Sequence, residues 1–246
     1  MTERRRDGRG GGLETLFLDA GGVLVNPNWD RVAAVLGAHG AEGLTGDALR
    51  AAEPFAKKAL DTAERIQATN DDSRGWLYMN LVLEQAGVRR SPATGAALQE
   101  LADYHARRNL WETVPLEVKP VLAQFREAGL KLVVVSNANG TLHHQLERLE
   151  LLSAFDVVLD SAREGVEKPD PRIFEIALER SGSRAERTLH VGDLFHVDVV
   201  GARAAGLQGW LLDAGGLYEG CDCPRVASLT ELAARLLGAA PGPLPA

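Results

Sequence analysis

The stretch Leu16-Phe17-Leu18-Asp19-Ala20-Gly21-Gly22-Val23-Leu24 decides how the chain folds. Three apolar residues followed by an acid and three small residues describe a strand buried on both faces that turns sharply at its C-terminal end. In an open α/β sheet that end is where ligands bind. Two glycines beside the Asp19 carboxylate let a ligand or ion approach the backbone with no Cβ in the way. An ordinary βα turn with a surface acid reads the same way, so the choice between them rests on the rest of the chain.

Downstream, from Pro115, strand and helix alternate strictly. Helical periodicity over 116–127 ends at Gly129, and the apolar run 131–135 is a buried strand that stops at Ser136-Asn137. The cycle repeats as a helix over 141–149, a strand over 156–160, a helix over 171–180 opened by Pro171, and a strand over 188–191 that ends in Gly192-Asp193. A helix over 197–205 closed by Gly206, a strand over 209–212 and a helix over 229–237 complete the series. Together 13–25 and 115–237 predict an α/β core domain with one doubly wound, parallel, Rossmann-like sheet. Residues 26–114 read differently. Helices over 29–36, over 45–66 with a break at Pro54, over 76–85 and over 93–107, with no strand among them, predict an inserted all-helical cap domain with hinges near Asn26 and Thr113-Val114-Pro115. The Arg- and Gly-rich 1–12 and the Pro- and Gly-rich 238–246 read as flexible tails.

With 246 residues, 45% hydrophobic and 25% charged, the chain can bury one large core or two smaller ones. A net charge of -7, with Arg4-Arg5-Arg6 as the one basic cluster, argues against nucleic acid or an anionic membrane as partner. No apolar run reaches bilayer length and no hydrophobic segment follows the arginines, so the expected location is cytoplasmic. Cys221 and Cys223 are too close together for useful loop closure and too few for a zinc site, and read as free thiols in a turn. Nothing in the sequence sets the oligomeric state.

Asp19, Ser136, Lys168 and Asp193 all fall at or near strand C-termini, which in a parallel sheet open on one edge. Asp19 and Asp193 offer hard oxygens suited to Mg²⁺, and Ser136 and Lys168 offer a hydroxyl and a positive charge for a phosphate. These residues, with the third segment Glu167-Lys168-Pro169-Asp170-Pro171 and the fourth, Gly192-Asp193 with Asp198 and the run 201–206, resemble the haloacid dehalogenase superfamily of hydrolases over nearly the whole chain outside the tails. The resemblance implies a small phosphorylated substrate. It implies Asp19 as a nucleophile that forms an aspartyl-phosphate, Ser136 and Lys168 as its catalytic partners, and Ser136, Asn137 and Lys168 as phosphate-binding residues. It also implies Mg²⁺ held by Asp19, the Gly21 carbonyl and Asp193, with Asp198 behind them.

The phosphatases that this chain resembles usually carry a second aspartate two residues after the nucleophile, to protonate the leaving oxygen and then activate water. Here the position is Gly21. Three explanations stay open. A cap group, a water or the substrate supplies the proton; or the chain runs phosphonatase or dehalogenase chemistry, for which Lys57 or Lys58 would be the cap lysine of a phosphonatase; or it is a catalytically weak binding or regulatory protein. A Lys57-Lys58 pair is more often a solvated helix face. His143, His144 and His190 read as surface or core residues, and His196 as bordering the site. Tyr104, His105, Arg107, Arg108 and Trp111 read equally well as substrate contacts or as helix packing.

Overall fold

The computed structural model describes residues 12–238, so almost all of the expected tails lies outside the described residues. In chain order the strands are β1 (Thr15–Leu18), β2 (Asn26–Pro27), β3 (Trp111–Thr113), β4 (Lys131–Ser136), β5 (Val157–Asp160), β6 (Thr188–Gly192), β7 (Gln208–Leu212) and β8 (Arg225–Val226). Six of them form one sheet in the order β5-β4-β1-β6-β7-β8, every pair parallel. β1 lies between β4 and β6, with Leu18 opposite Val134 and Val191, so Asp19 emerges at the middle of the carboxyl edge.

The apolar strands are buried on both faces, as their composition demands. Leu16 and Leu18 of β1 and Leu132 and Val134 of β4 point to one side, where they meet Phe125, Leu146 and Leu232. Phe17, Val133 and Val135 point to the other, against Ile173, Phe174 and Ala177. The covering helices, which follow five in the insertion, are α6 (Val118–Glu127), α7 (Leu142–Arg148), α8 (Ser161–Glu164), α9 (Pro171–Ser181), α10 (Val200–Ala204) and α11 (Leu229–Leu237). Strand β8 and the short α8 have no sequence counterpart in the periodicity, being too brief to show one. The expected helix over 197–205 begins instead as a π-helical turn, Phe195–Val199, and only then becomes α10.

Between β2 and β3 stand α1 (Trp29–Ala38), α2 (Gly46–Leu60), α3 (Ala63–Ala68), α4 (Asp71–Gln85) and α5 (Pro92–Arg108). Of these, α1, α2, α4 and α5 share a hydrophobic cluster of their own, centred on Trp29, Leu36, Leu49, Val82 and Leu101. The two expected hinge segments pair with each other, since β2 and β3 form an antiparallel ribbon at the base of the helices. Pro54 does not break the second helix, contrary to expectation; α2 runs on to Leu60 and the chain breaks at Asp61-Thr62, where the Thr62 hydroxyl caps α3. A proline inside a helix costs about 3 kcal/mol. Its ring packs at Gly215, where a Cβ would come within 2.5 Å of the Pro54 Cβ.

Candidate active site

Asp19 extends the β1 ladder by one residue, its N–H donating to Val191 O at 3.0 Å. Its Oδ1 accepts from the Ala20 N–H at 2.7 Å and lies 2.9 Å from Lys168 Nζ. Lys168 is fully buried and also donates to Asp198 Oδ1 at 2.6 Å. Asp198 is held in turn, with His190 Nε2 at 3.0 Å from the same oxygen and the Leu194 N–H donating to Oδ2 at 3.0 Å. Burial opposes the Lys168 charge, but Asp19 and Asp198 outweigh it and raise its pKa. Burial likewise opposes the Asp198 carboxylate, and Lys168 with His190 outweighs it and holds its pKa low. A buried pair of this kind loses several kcal/mol per ion in desolvation, so its value lies in placing the ammonium against Asp19 rather than in stability.

Neighbouring residues fix that lysine. Asn137 donates from Nδ2 to Lys168 O at 3.0 Å and accepts the Lys168 N–H on Oδ1 at 2.7 Å. Both ends of the amide, expected to meet a phosphate, are thus engaged in holding the Lys168 backbone. Ser136 is 3% exposed and lines the same cavity, its hydroxyl 3.3 Å from Asn137 O. Asp160, at the end of β5, shapes the intervening loop by accepting from the Gly140 and Leu142 N–H groups at 3.0 and 3.1 Å.

Asp19, Asp193 and Asp198 each present an oxygen, all within 4.8 Å of one another. With both Asp198 oxygens committed to Lys168, His190 and Leu194, the oxygens open to a cation belong to Asp19 and Asp193. Burial, with Asp19 and Asp198 nearby, pushes the Asp193 carboxyl up to about 7 against the pull of Lys57. Crowded hard oxygens of like charge fit a divalent cation such as Mg²⁺. The backbone makes room for them. Gly22 has φ +72°, and a Cβ there would fall 1.9 Å from Asp193 Oδ2; glycine is obligatory on both counts. Gly21 is different, because a Cβ there would meet only Trp111, at 3.4 Å. Space for a Cβ therefore does not explain the missing acid.

The helical insertion reaches into this edge. Lys57 of α2 lies 2.8 Å from Asp193 Oδ2 and 2.9 Å from Glu53 Oε1, and Glu53 accepts from Trp29 Nε1 at 2.9 Å and Tyr78 OH at 2.7 Å. Lys57 is therefore not the solvated residue that its pairing with Lys58 suggests; Lys58 is exposed, with its ammonium over the Tyr218 ring. The signal was helical phase: Leu49, Ala52, Ala56 and Leu60 mark the buried stripe of α2, and Glu53 and Lys57 lie on it. One turn further on, Asp61 accepts from the Phe195 and His196 N–H groups at 2.5 and 2.9 Å and from Tyr218 OH at 2.8 Å. His196 borders the site through Asp61, its Nδ1 at 3.0 Å, and not through the carboxylate trio. At the start of α4, the Asp71 N–H donates to Glu167 Oε2 at 3.0 Å and Arg74 Nη2 to Oε1 at 3.3 Å.

Between insertion and sheet edge lies a cavity of about 600 Å³. Asp19, Ser136, Lys168 and Asp193 line its floor, and Trp76, Met79, Leu101, His105 and Trp111 are among its walls. Trp111 and His105 thus face the cavity, whereas Tyr104 bonds to Glu112 at 2.8 Å and His143 and His144 are exposed on α7. Cys221 and Cys223 are free, with sulfurs 3.8 Å apart. No helix among the described residues is long and apolar enough to cross a membrane.

Comparison with known proteins gives a match to the haloacid dehalogenase-like hydrolase family over residues 13–206. Among curated relatives, haloacid dehalogenase-like hydrolase domain-containing protein 3 of Bos taurus is 36% identical over 138 residues, 56% of this chain and 55% of the relative. The ribulose-1,5-bisphosphate 5-phosphatase of Halopiger xanaduensis is 34% identical over 139 residues, covering 56% of this chain and 57% of that protein. The chain thus spans little more than half the length of these relatives. Among solved structures, a magnesium-bound HAD hydrolase of Bacillus subtilis aligns with a TM-score of 0.65 at 19% identity, over 92% of this chain and 99% of that one.

Proposed function

Because the chain belongs to the haloacid dehalogenase-like hydrolase family, we propose that it is a Mg²⁺-dependent phosphohydrolase that acts on a small phosphorylated metabolite through an aspartyl-phosphate on Asp19. The observation that carries this reading is the buried Lys168 ammonium placed on Asp19 Oδ1 at 2.9 Å, beside a second, crowded carboxylate, Asp193. Lys168 leaves the other Asp19 oxygen to attack phosphorus and offers its charge to the phosphoryl oxygens, while the Ser136 hydroxyl is available to a third. Asp19, Asp193 and the carbonyl of Gly21 would hold Mg²⁺, which when bound neutralises charge on the phosphoryl group. The relative from Halopiger is named as a phosphatase of a phosphorylated sugar, which agrees with this class. The helical insertion would serve as the cap that encloses the substrate body, its walls largely apolar.

The phosphonatase alternative needs a cap lysine with a free amine. Lys57 is instead clasped between Asp193 and Glu53. A screen of phosphate monoesters, acyl phosphates, phosphonates and haloacids tests the assignment by its products. Phosphate release that stops in excess chelator is expected, with Asp193→Ala raising the Mg²⁺ concentration needed. Halide release that persists in chelator overturns the assignment.

A further inference from the structure

Gly21 leaves the proposed reaction without the usual proton donor beside the nucleophile. From the structure we infer that Asp71, at the first turn of α4 in the helical insertion, is the general acid and base of this site. The inference rests on the phosphohydrolase reading and adds a residue to it.

Asp71 lines the cavity together with Asp19 and Lys168. Its backbone is anchored to the sheet edge, because the Asp71 N–H donates at 3.0 Å to Glu167, the residue before Lys168, and Arg74 one turn on grips the same carboxylate at 3.3 Å. While the main chain is fixed in this way, the side chain is not engaged: among the described residues the Asp71 carboxyl makes no hydrogen bond. Partial burial raises its pKa to about 6; Glu167 and Asp19 push in the same direction, and Arg74 and Lys168 oppose them. A carboxyl poised near neutrality in a site facing a substrate matches what proton transfer requires. Among the other titratable residues that line the cavity, His105 fits less well. Its Nδ1 accepts the Leu110 N–H at 3.1 Å, and the charge that bears on it is Asp72 of the insertion, with no group of the sheet edge.

The steps balance as follows. An oxygen of Asp19 forms a bond to phosphorus as the bond to the alcohol oxygen breaks, and the Asp71 proton passes to that oxygen, leaving a neutral alcohol and an Asp71 carboxylate. Asp71 then takes a proton from water as the water oxygen bonds to phosphorus. The phosphorus–Asp19 bond breaks, inorganic phosphate leaves, and both aspartates return to their starting states.

The test compares p-nitrophenyl phosphate, whose leaving oxygen needs no proton, with propyl phosphate, whose leaving oxygen does, under Mg²⁺ and with burst kinetics to isolate the first step. Asp71→Asn is expected to slow that step for propyl phosphate by about 10² to 10⁴-fold and for the aryl ester far less. Wild-type kcat/KM for propyl phosphate should fall as pH rises through about 6, and this limb should vanish in Asp71→Asn. Asp71→Glu, and Gly21→Asp placed in the Asp71→Asn background, should each restore part of the alkyl rate. Equal losses for both esters, or none, would overturn the assignment to Asp71 alone. If the wild-type protein releases phosphate from neither ester, the phosphohydrolase reading falls and this inference falls with it.

Discussion

The sheet edge and the helical insertion both place charge in one cavity, but they hold it differently. At the edge, the central pair is tied down from below: Lys168 by Asp19, Asp198 and the Asn137 amide, Asp198 by His190 and the Leu194 N–H. The insertion instead hangs its groups from helices, and three of its contacts are spent on docking. Lys57 meets Asp193, Asp61 grips the backbone at Phe195 and His196, and Arg74 takes Glu167. Among the described residues, nothing hydrogen-bonds the Asp71 carboxyl. The difference separates a preorganised half, where displacement is costly, from a half in which a polar side chain remains available to a substrate.

Damage to the preorganised half should have the larger effect. Gly22→Ala puts a methyl 1.9 Å from Asp193 Oδ2 at a φ of +72°, so Asp193 must move. A displacement of this size in a positioned site is expected to cost on the order of 10²-fold in kcat/KM. Gly21→Ala, whose methyl meets Trp111 at an ordinary 3.4 Å, should leave the rate nearly unchanged. Similar losses in both variants would erase the distinction between the two glycines.

The fold was legible because the sheet writes itself in short apolar runs between Gly, Asp and Ser, and the polar residues at their ends fall on one edge by topology alone. The insertion was legible as helices but not as chemistry. Lys57 looks like half of an exposed lysine pair until the phase of α2 is laid out, and Pro54 looks like a break although α2 runs through it and its ring packs at Gly215, far along the chain. The Arg74–Glu167 and Asp61–His196 contacts join residues 93 and 135 positions apart, and no local pattern carries that information. Asp71 begins a helix, where an acid is commonplace for reasons of capping and dipole.

A smaller effect examines the insertion without any substrate. The folded-state pKa of Asp71 is raised from 3.8 to about 6, so its contribution to stability is fully present below pH 3.8 and is lost as pH rises through about 6. Asp71→Asn cannot ionise and escapes that loss. Its Tm should match the wild type near pH 3.5 and exceed it at pH 8 by the equivalent of about 1–3 kcal/mol. A variant less stable than wild type at pH 8 would show that the carboxylate is paired in the folded protein, which contradicts its place here.

The most direct measurement is to quench the protein during turnover of p-nitrophenyl phosphate with Mg²⁺ and to map, by mass spectrometry in acid, which peptide gains a phosphoryl group. The phosphoryl group is expected on the peptide containing Asp19, and is expected to be absent from Asp19→Asn, which should also lose turnover. Turnover with no phosphorylated peptide, or a phosphoryl group on any residue other than Asp19, would contradict the account.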